Sequence, residues 1–390
     1  MIVDETARID RARINEITIP FKEPFQISGG ISLSRKSVIV ELESDGIIGY
    51  GEAPPFEAPF YSSETISSVK ALLVEWICPR VVGKEIASIA MLNQLIRYGI
   101  RGNNFALSGI ETAYWDLVAK KNNMSLKELI IYKLKELGTE QEFLKHEDYV
   151  ISGVSIGIPP DEDASLFRHW VERSLNEGFQ RIKIKIRPGW DLEPTKFARD
   201  IIGYDFPFWV DANASYYIEK HLSILKELDE FRCLFLEQPL DHDDLLDHNK
   251  LSRIIRTPLC IDESLKSLQI AKHVVELGFS RIWNLKVHRV GGLWEAVKIY
   301  DFATSHGISL WGGTMPESGI GSMCILSLAT LSGFRFPADI EPSVRWFKEG
   351  TDMKEIEMDS SGRIYVPNGI GIGEIDVDNY RRLGKPIWRS

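Results

Sequence analysis

Short apolar runs punctuate the second part of the chain at near-regular intervals. They recur near residues 151–156, 181–186, 207–211, 233–237, 258–262, 281–286, 308–312 and 336–340, with amphipathic stretches of helical length between them. The spacing is about 30 residues, roughly one βα unit of a barrel. Eight strands alternating with helices predict a TIM-like barrel rather than an open sheet. Upstream the rhythm differs. Residues 37–43 (SVIVELE) alternate apolar and polar, as a strand with one wet face does, and Asp45-Gly46 reads as a hairpin turn. Residues 62–77 and 105–121 carry helical spacing, the latter with Leu107, Ile110, Ala113, Tyr114 and Leu117 on one face. Strands first and helices after them predict an α+β unit up to about residue 150. Beyond residue 345 the chain is Gly-rich, shows no further barrel unit, and is expected to pack back on the first domain.

Composition narrows the partners. Hydrophobic residues make up 44% and charged residues 26%, which is a soluble, globular balance. The net charge of −10 argues against nucleic acid, because phosphate binding needs a basic face. Cys78, Cys233, Cys260 and Cys324 form no CxxC pair. They are expected to be reduced, mostly buried thiols of a cytoplasmic protein. The start, MIVDETARID, has no apolar signal-like stretch. No apolar run approaches the ~18 residues of a membrane span, so no membrane partner is expected.

The candidate chemistry lies where charge meets the barrel strands. Phe-Trp-Val-Asp (208–211), Leu-Phe-Leu-Glu (234–237) and Leu-Cys-Ile-Asp (259–262) each end an apolar run on a carboxylate. A buried carboxylate is costly unless paired or bound to a cation, and the C-terminal ends of barrel strands face the mouth where active sites form. Asp211, Glu237 and Asp262 together are a hard oxygen site suited to Mg²⁺, with Mn²⁺ as a substitute. The plainer alternative, that each caps the helix after its strand, suits Asp better than Glu237. In Arg-Ile-Lys-Ile-Lys-Ile (181–186), period two puts Lys183 and Lys185 on one face. Alone, this motif would read as an edge strand with a solvated lysine face. A closed barrel has no wet edge, so the lysines are expected to point inward. Lys286 ends the run Ile282-Trp283-Asn284-Leu285. Lys185 then sits on the second strand, the carboxylates on the third to fifth, and Lys286 on the sixth, across the barrel. The metal would hold a substrate carboxylate and stabilise the enediolate formed as the α-proton leaves. Lys185 is assigned as base, with Lys183 as a like-charged neighbour lowering its pKa, and Lys286 as the opposing acid/base.

At these residues the chain resembles the enolase superfamily, muconate-lactonizing subgroup. Within it the resemblance is to the o-succinylbenzoate synthase and N-succinylamino acid racemase family. RIKIKIRPGWDLEP (181–194), VDAN (210–213), LEQPL (236–240), CIDES (260–264) and NLKVHRVGG (284–292) carry it. PFQISGG (24–30) and APFYSSET (58–65) resemble that family's two specificity loops, and GVSIGI (153–158) its first barrel strand. WGGTMPESGIG (311–321) and FPADIEPSVRWF (336–347) continue the match. The resemblance implies an α/β fold: a modified TIM barrel, (β/α)7β, under an α+β capping domain. Residues 1–149 would be the cap, 150–345 the barrel, and 346–390 a segment returning to the cap. It implies substrate contacts from Phe25, Ser28, Tyr61, Ser155, Asn213, Gly313 and Glu317, and a role for Arg289 in racemase activity. Two positions depart. Met315-Pro316-Glu317-Ser318 resembles muconate cycloisomerases more than racemases, and His288 replaces the more usual glycine or serine. No Asp-x-Asp follows the seventh strand, which argues against a dipeptide epimerase.

Smaller signals have plain readings. Asp241-His242-Asp243-Asp244 with His248 could suggest a second metal site, but acids favour a helix start there. Gly291-Gly292 could cradle a phosphate or make a tight βα turn. Gly369-Ile-Gly371-Ile-Gly373 lacks the spacing of a dinucleotide fingerprint. The leading expectation is o-succinylbenzoate synthase, a syn-dehydration in menaquinone biosynthesis, and the alternative is an N-acylamino acid racemase. A muconate-type cycloisomerase, a Schiff-base aldolase using Lys286 and a non-catalytic metal-binding barrel are further alternatives. A small carboxylate substrate and a homo-oligomer are expected.

Overall fold

The computed structural model describes residues 2–27, 30–59 and 61–390, and of residues 24–27 and 30–32 the backbone. Strands Arg11–Ile27, Gly30–Ser44 and Ile47–Ala53 form an antiparallel meander. Asp45 and Gly46 turn the second hairpin with φ of 50° and 78°, the left-handed pair a two-residue hairpin requires. Helix Asn104–Lys121 lies on this sheet, buried almost all round. A Cβ at Gly51 would stand 2.3 Å from the Gly109 carbonyl, so glycine sets how closely helix and strand approach. The expected 62–77 helix starts later, at Ile66. Thr65 caps it, and Leu73–Ile77 form a π turn. The final strand, Gly384–Arg389, pairs with Arg11–Ile27, so the tail returns to the first sheet.

The barrel strands are Val154–Ile156, Ile182–Lys185, Phe208–Asp211, Leu236–Glu237, Leu259–Ile261, Ser280–Leu285 and Ser309–Gly312, parallel and adjacent in chain order. The expected eighth strand, 336–340, is not a regular strand. That stretch closes the barrel through isolated parallel bridges, Leu310 to Phe334 and Ser152 to Ala338. Pro337, lacking an N–H, interrupts the ladder there. Arg335, Ala338 and Asp339 still donate to Leu310, Ile151 and Gly312 at 2.8, 2.9 and 2.8 Å. Lower in the barrel, Trp209, Phe235, Cys260 and Trp311 form a buried aromatic layer. The Arg181 guanidinium lies 4.2 Å from the Trp209 ring centroid. This plug makes the barrel a packed core with chemistry confined to its mouth.

Cap and barrel are joined by carboxylates at helix starts. Glu111 of the cap helix accepts from Leu293 N and Trp294 N at 2.7 and 2.8 Å, at the start of helix Leu293–Ser305. Glu52 accepts from Ser318 N at 3.2 Å and Gly321 N at 3.0 Å, at the start of helix Gly319–Ala329. Gly291-Gly292 is therefore a tight turn and not a phosphate cradle. The protein's own Glu111 fills the anion position, and a Cβ at Gly292 would lie 2.1 Å from it. No helix among the described residues is long and apolar enough to cross a membrane.

Candidate active site

Register assembles the site. Lys185 pairs across to Asp211, and Asp211 to Glu237, so three strand ends carry their charges at one level. Asp262 follows the fifth strand and Lys286 the sixth, each one residue beyond its last strand position. Asp211, Glu237 and Asp262 are fully buried and offer oxygens that all lie within 4.8 Å of one another. Lys185 Nζ donates to Asp211 Oδ2 at 2.5 Å, and Lys286 Nζ to Asp262 Oδ2 at 3.0 Å. The two amines thus stand on the second and sixth strands with the carboxylates on the strands between, as strand counting predicts.

The electrostatics show a site short of positive charge at its centre. Burial, reinforced by Asp211, pushes the Glu237 carboxyl up to about 8. Asp262 goes the other way. Burial opposes its charge, but Arg289 and Lys286 outweigh burial and hold it below the usual carboxylate range. Beside these ligands, Asn213 Oδ1 and Glu263 Oε2 are buried with no hydrogen-bond partner among the described residues. Glu263, next to Asp262, is pushed up to about 7 by burial and by Asp262 and Asp211. An all-oxygen, crowded, partly orphaned set of this kind fits a hard divalent cation. Asp211, Glu237 and Asp262 are the residues that would hold it.

Lys183 has partners that sequence spacing does not show. Burial disfavours its charge, yet Asp339, Glu237 and Asp211 outweigh burial and hold the ammonium well above the ordinary lysine range. Its Nζ bonds Asp339 and lies 3.4 Å from both Asp211 and Glu237. It serves as a counter-charge to the carboxylates, and held as an ammonium it is also the like charge expected beside Lys185. Asp339, which also bonds Arg181, was missed; it is held at about 2, burial being outweighed by Arg181 and Lys183. Two further residues were missed. Trp209 Nε1 and Asn284 Nδ2 donate to the two oxygens of Glu237 at 3.1 and 3.0 Å. The signal was available for Asn284, an amide inside the apolar run 282–285.

The other candidates are placed as follows. Asn213 donates to Glu263 at 2.8 Å. Arg289 bonds Asp262, the carbonyls of Asn284 and Leu265, and Tyr61. Tyr61 also accepts from Lys286 at 3.1 Å. A cleft of about 310 Å³ between cap and barrel is lined by Tyr61, Glu263 and Arg289 among others. Ser155 is buried beside Lys183 in register, and its N–H is taken by Glu341 at 2.9 Å. Gly313 makes room for Asn284, since a Cβ there would lie 2.1 Å from its amide oxygen. Glu317 turns back to accept from Met315 N; burial raises its carboxyl, while Arg35 and Lys286 partly offset this. Ser28 lies outside the described residues, as does the side chain of Phe25. His288 points away from the site, its ring 3.2 Å from both Ser108 Oγ and the Gly321 carbonyl; burial pushes it down to about 4. Asp244 caps helix Leu245–Leu251, as the acids there suggested. Lys266 sits between His242 and Asp243 at 3.0 and 2.8 Å, where a second cation would have to be.

Residues 10–130 match the family model for the mandelate racemase / muconate lactonizing enzyme N-terminal domain, and residues 166–380 the enolase C-terminal domain-like model. The chain is 35% identical over 387 residues to an o-succinylbenzoate synthase of Geobacillus kaustophilus, covering 98% of each. It is 37% identical over 366 residues to an N-succinylamino acid racemase of Thermus thermophilus, covering 94% of each. Among solved structures, an enolase superfamily member from Listeria innocua superposes with a TM-score of 0.86 at 31% identity, covering 98% of each chain. With both family models and near full-length relatives in agreement, the chain belongs to the enolase superfamily, as an enzyme of its mandelate racemase / muconate lactonizing branch.

Proposed function

We propose that this enzyme removes the proton α to the carboxylate of a small substrate, and that its reaction is the syn-dehydration that forms o-succinylbenzoate. One observation carries the first part: two buried amines on opposite walls, each bonded to a different carboxylate of the same trio. When bound, a divalent cation, Mg²⁺ in this reading, would anchor the substrate carboxylate and offset the charge that builds up as the α-proton leaves. The chain's own groups do the rest. Lys185 takes the proton from one face of the α-carbon. The same amine can hand it to the hydroxyl departing from the adjacent carbon on that face, so one base serves both ends of a syn elimination. Lys286, across the site, supports the developing charge with its ammonium. Trp209 and Asn284 fix Glu237, and Lys183 with Asp339 fixes the wall beneath.

The choice of the dehydration draws on the likeness to o-succinylbenzoate synthases over almost the whole chain. The racemase reading is favoured by the near-symmetric placement of the amines and by the Thermus relative. The test uses purified protein with Mg²⁺ and each substrate in turn. Loss of the cyclohexadiene absorbance of the o-succinylbenzoate precursor supports the lyase. Loss of optical rotation from an N-succinylamino acid supports the racemase. Absence of both removes both names, and failure to exchange an α-proton in D₂O removes the reaction class. Borohydride trapping with indifference to EDTA would instead point to a Schiff base on Lys286.

A further inference from the structure

Lys185 and Lys286 are held differently. Among the described residues, Lys185 has one hydrogen-bond partner, Asp211. Lys286 has two, Asp262 from the barrel and the Tyr61 hydroxyl from the cap. The Tyr61 oxygen also accepts from Arg289 Nη1 at 3.3 Å. Both of its lone pairs are therefore directed at barrel cations. The Lys286 Nζ lies 5.1 Å from the Tyr61 ring centroid, so the ring also screens the ammonium from water. Tyr61 is itself well placed. Its ring packs on Phe56 at 5.8 Å, and Glu64, three residues on, caps the cap helix through Phe105 N and Ala106 N at 3.0 and 3.1 Å. An ammonium has three N–H bonds, and fixing two of them sets the direction of the third.

We infer that Tyr61 is a positioning residue for Lys286, aiming its free N–H at the substrate. Proton transfer on the Lys286 face then depends on the Tyr61 hydroxyl, which among the described residues does not bond Lys185. This rests on the racemase reading above, in which both amines reach the α-carbon.

The experiment follows α-proton exchange of each enantiomer of N-succinylphenylalanine in D₂O with Mg²⁺, by proton NMR. Lys286→Ala identifies the enantiomer served by Lys286, and Lys185→Ala the other. Tyr61→Phe keeps the ring and its packing on Phe56 and removes only the hydroxyl. It is expected to slow exchange of the Lys286 enantiomer by about tenfold or more and to leave the other within about twofold. Thermal unfolding should be unchanged, and Tyr61→Leu should show the same selectivity with a larger loss. Equal slowing of both enantiomers, or of neither, overturns the inference and leaves the function standing. Wild-type protein that exchanges neither enantiomer overturns the inference and the racemase reading, while the dehydration is judged separately by the cyclohexadiene absorbance.

Discussion

Two sets of buried carboxylates divide this molecule, and they are handled in opposite ways. Glu111, Glu52 and Glu64 face helix starts, where backbone N–H groups converge on them. Asp211, Glu237 and Asp262 face one another. At the cap–barrel seam, the negative charge is answered by partial positive charge already built into helix ends. At the barrel mouth, lysines answer it from the walls and the centre is left to a cation. A buried acid with its donors supplied by the fold is a joint. A buried acid whose nearest neighbours are other acids is a site.

The largest effect that could break this comparison is on turnover. Lys185→Ala is expected to lower kcat by about 10²–10⁴-fold. EDTA should abolish activity, and Mg²⁺ should restore it. Glu111→Gln, at a carboxylate as buried as those of the mouth, should leave kcat within a few-fold, because Glu111 faces a helix start and not the trio. If both variants lose activity alike, the division into joint and site is wrong.

Next comes stability at the seam. Gly292→Ala puts a Cβ 2.1 Å from Glu111 at a φ of +118°, so both backbone and carboxylate must move. Urea unfolding should show a loss of about 2–4 kcal/mol. A neutral result would mean that the Glu111 cap contributes little.

A smaller effect of opposite sign is expected at the mouth. In metal-free protein above about pH 8, where the Glu237 carboxyl is ionised, Glu237→Gln removes one of three crowded charges. Asn284, whose Oδ1 lacks a partner, can turn its amide to accept from the new side chain. The variant should be more stable than wild type by roughly 1–3 kcal/mol in EDTA, while having no activity. Mg²⁺ should raise the melting temperature of wild type far more than that of the variant. A less stable Glu237→Gln would show that the lysines already balance the trio.

How much of this could be read in the sequence follows from what each feature depends on. The barrel rhythm and the five charged strand ends were legible, because strand period and chain order fix which residues face the mouth and which walls they occupy. The partner of Lys183 was not legible, because Asp339 lies 156 residues away. The seam carboxylates were invisible for the same reason. Glu111 looks like an ordinary member of an amphipathic helix until Gly292 and Leu293 are folded against it. The late start of the 62–77 helix was local but subtle, set by the Thr65 and Ser68 capping pair.

The finest test concerns how completely helix N–H groups replace a cation at Glu111. Burial pushes its carboxyl up to about 7, although Trp294 N, Leu293 N, Trp115 Nε1 and Asn93 Nδ2 all pull the other way. The unfolded carboxyl titrates near ~4.3. Between these values the native state holds a proton that the unfolded chain has released. The stability this group contributes is therefore full below about pH 4.3 and is lost as pH rises through 7. Wild type should gain on Glu111→Gln by about 2 kcal/mol when urea unfolding at pH 5 is compared with pH 8. A gap that stays constant, or widens at pH 8, would mean that the helix start matches burial in full. The seam acids would then be fully compensated, and the contrast with the mouth would be larger still.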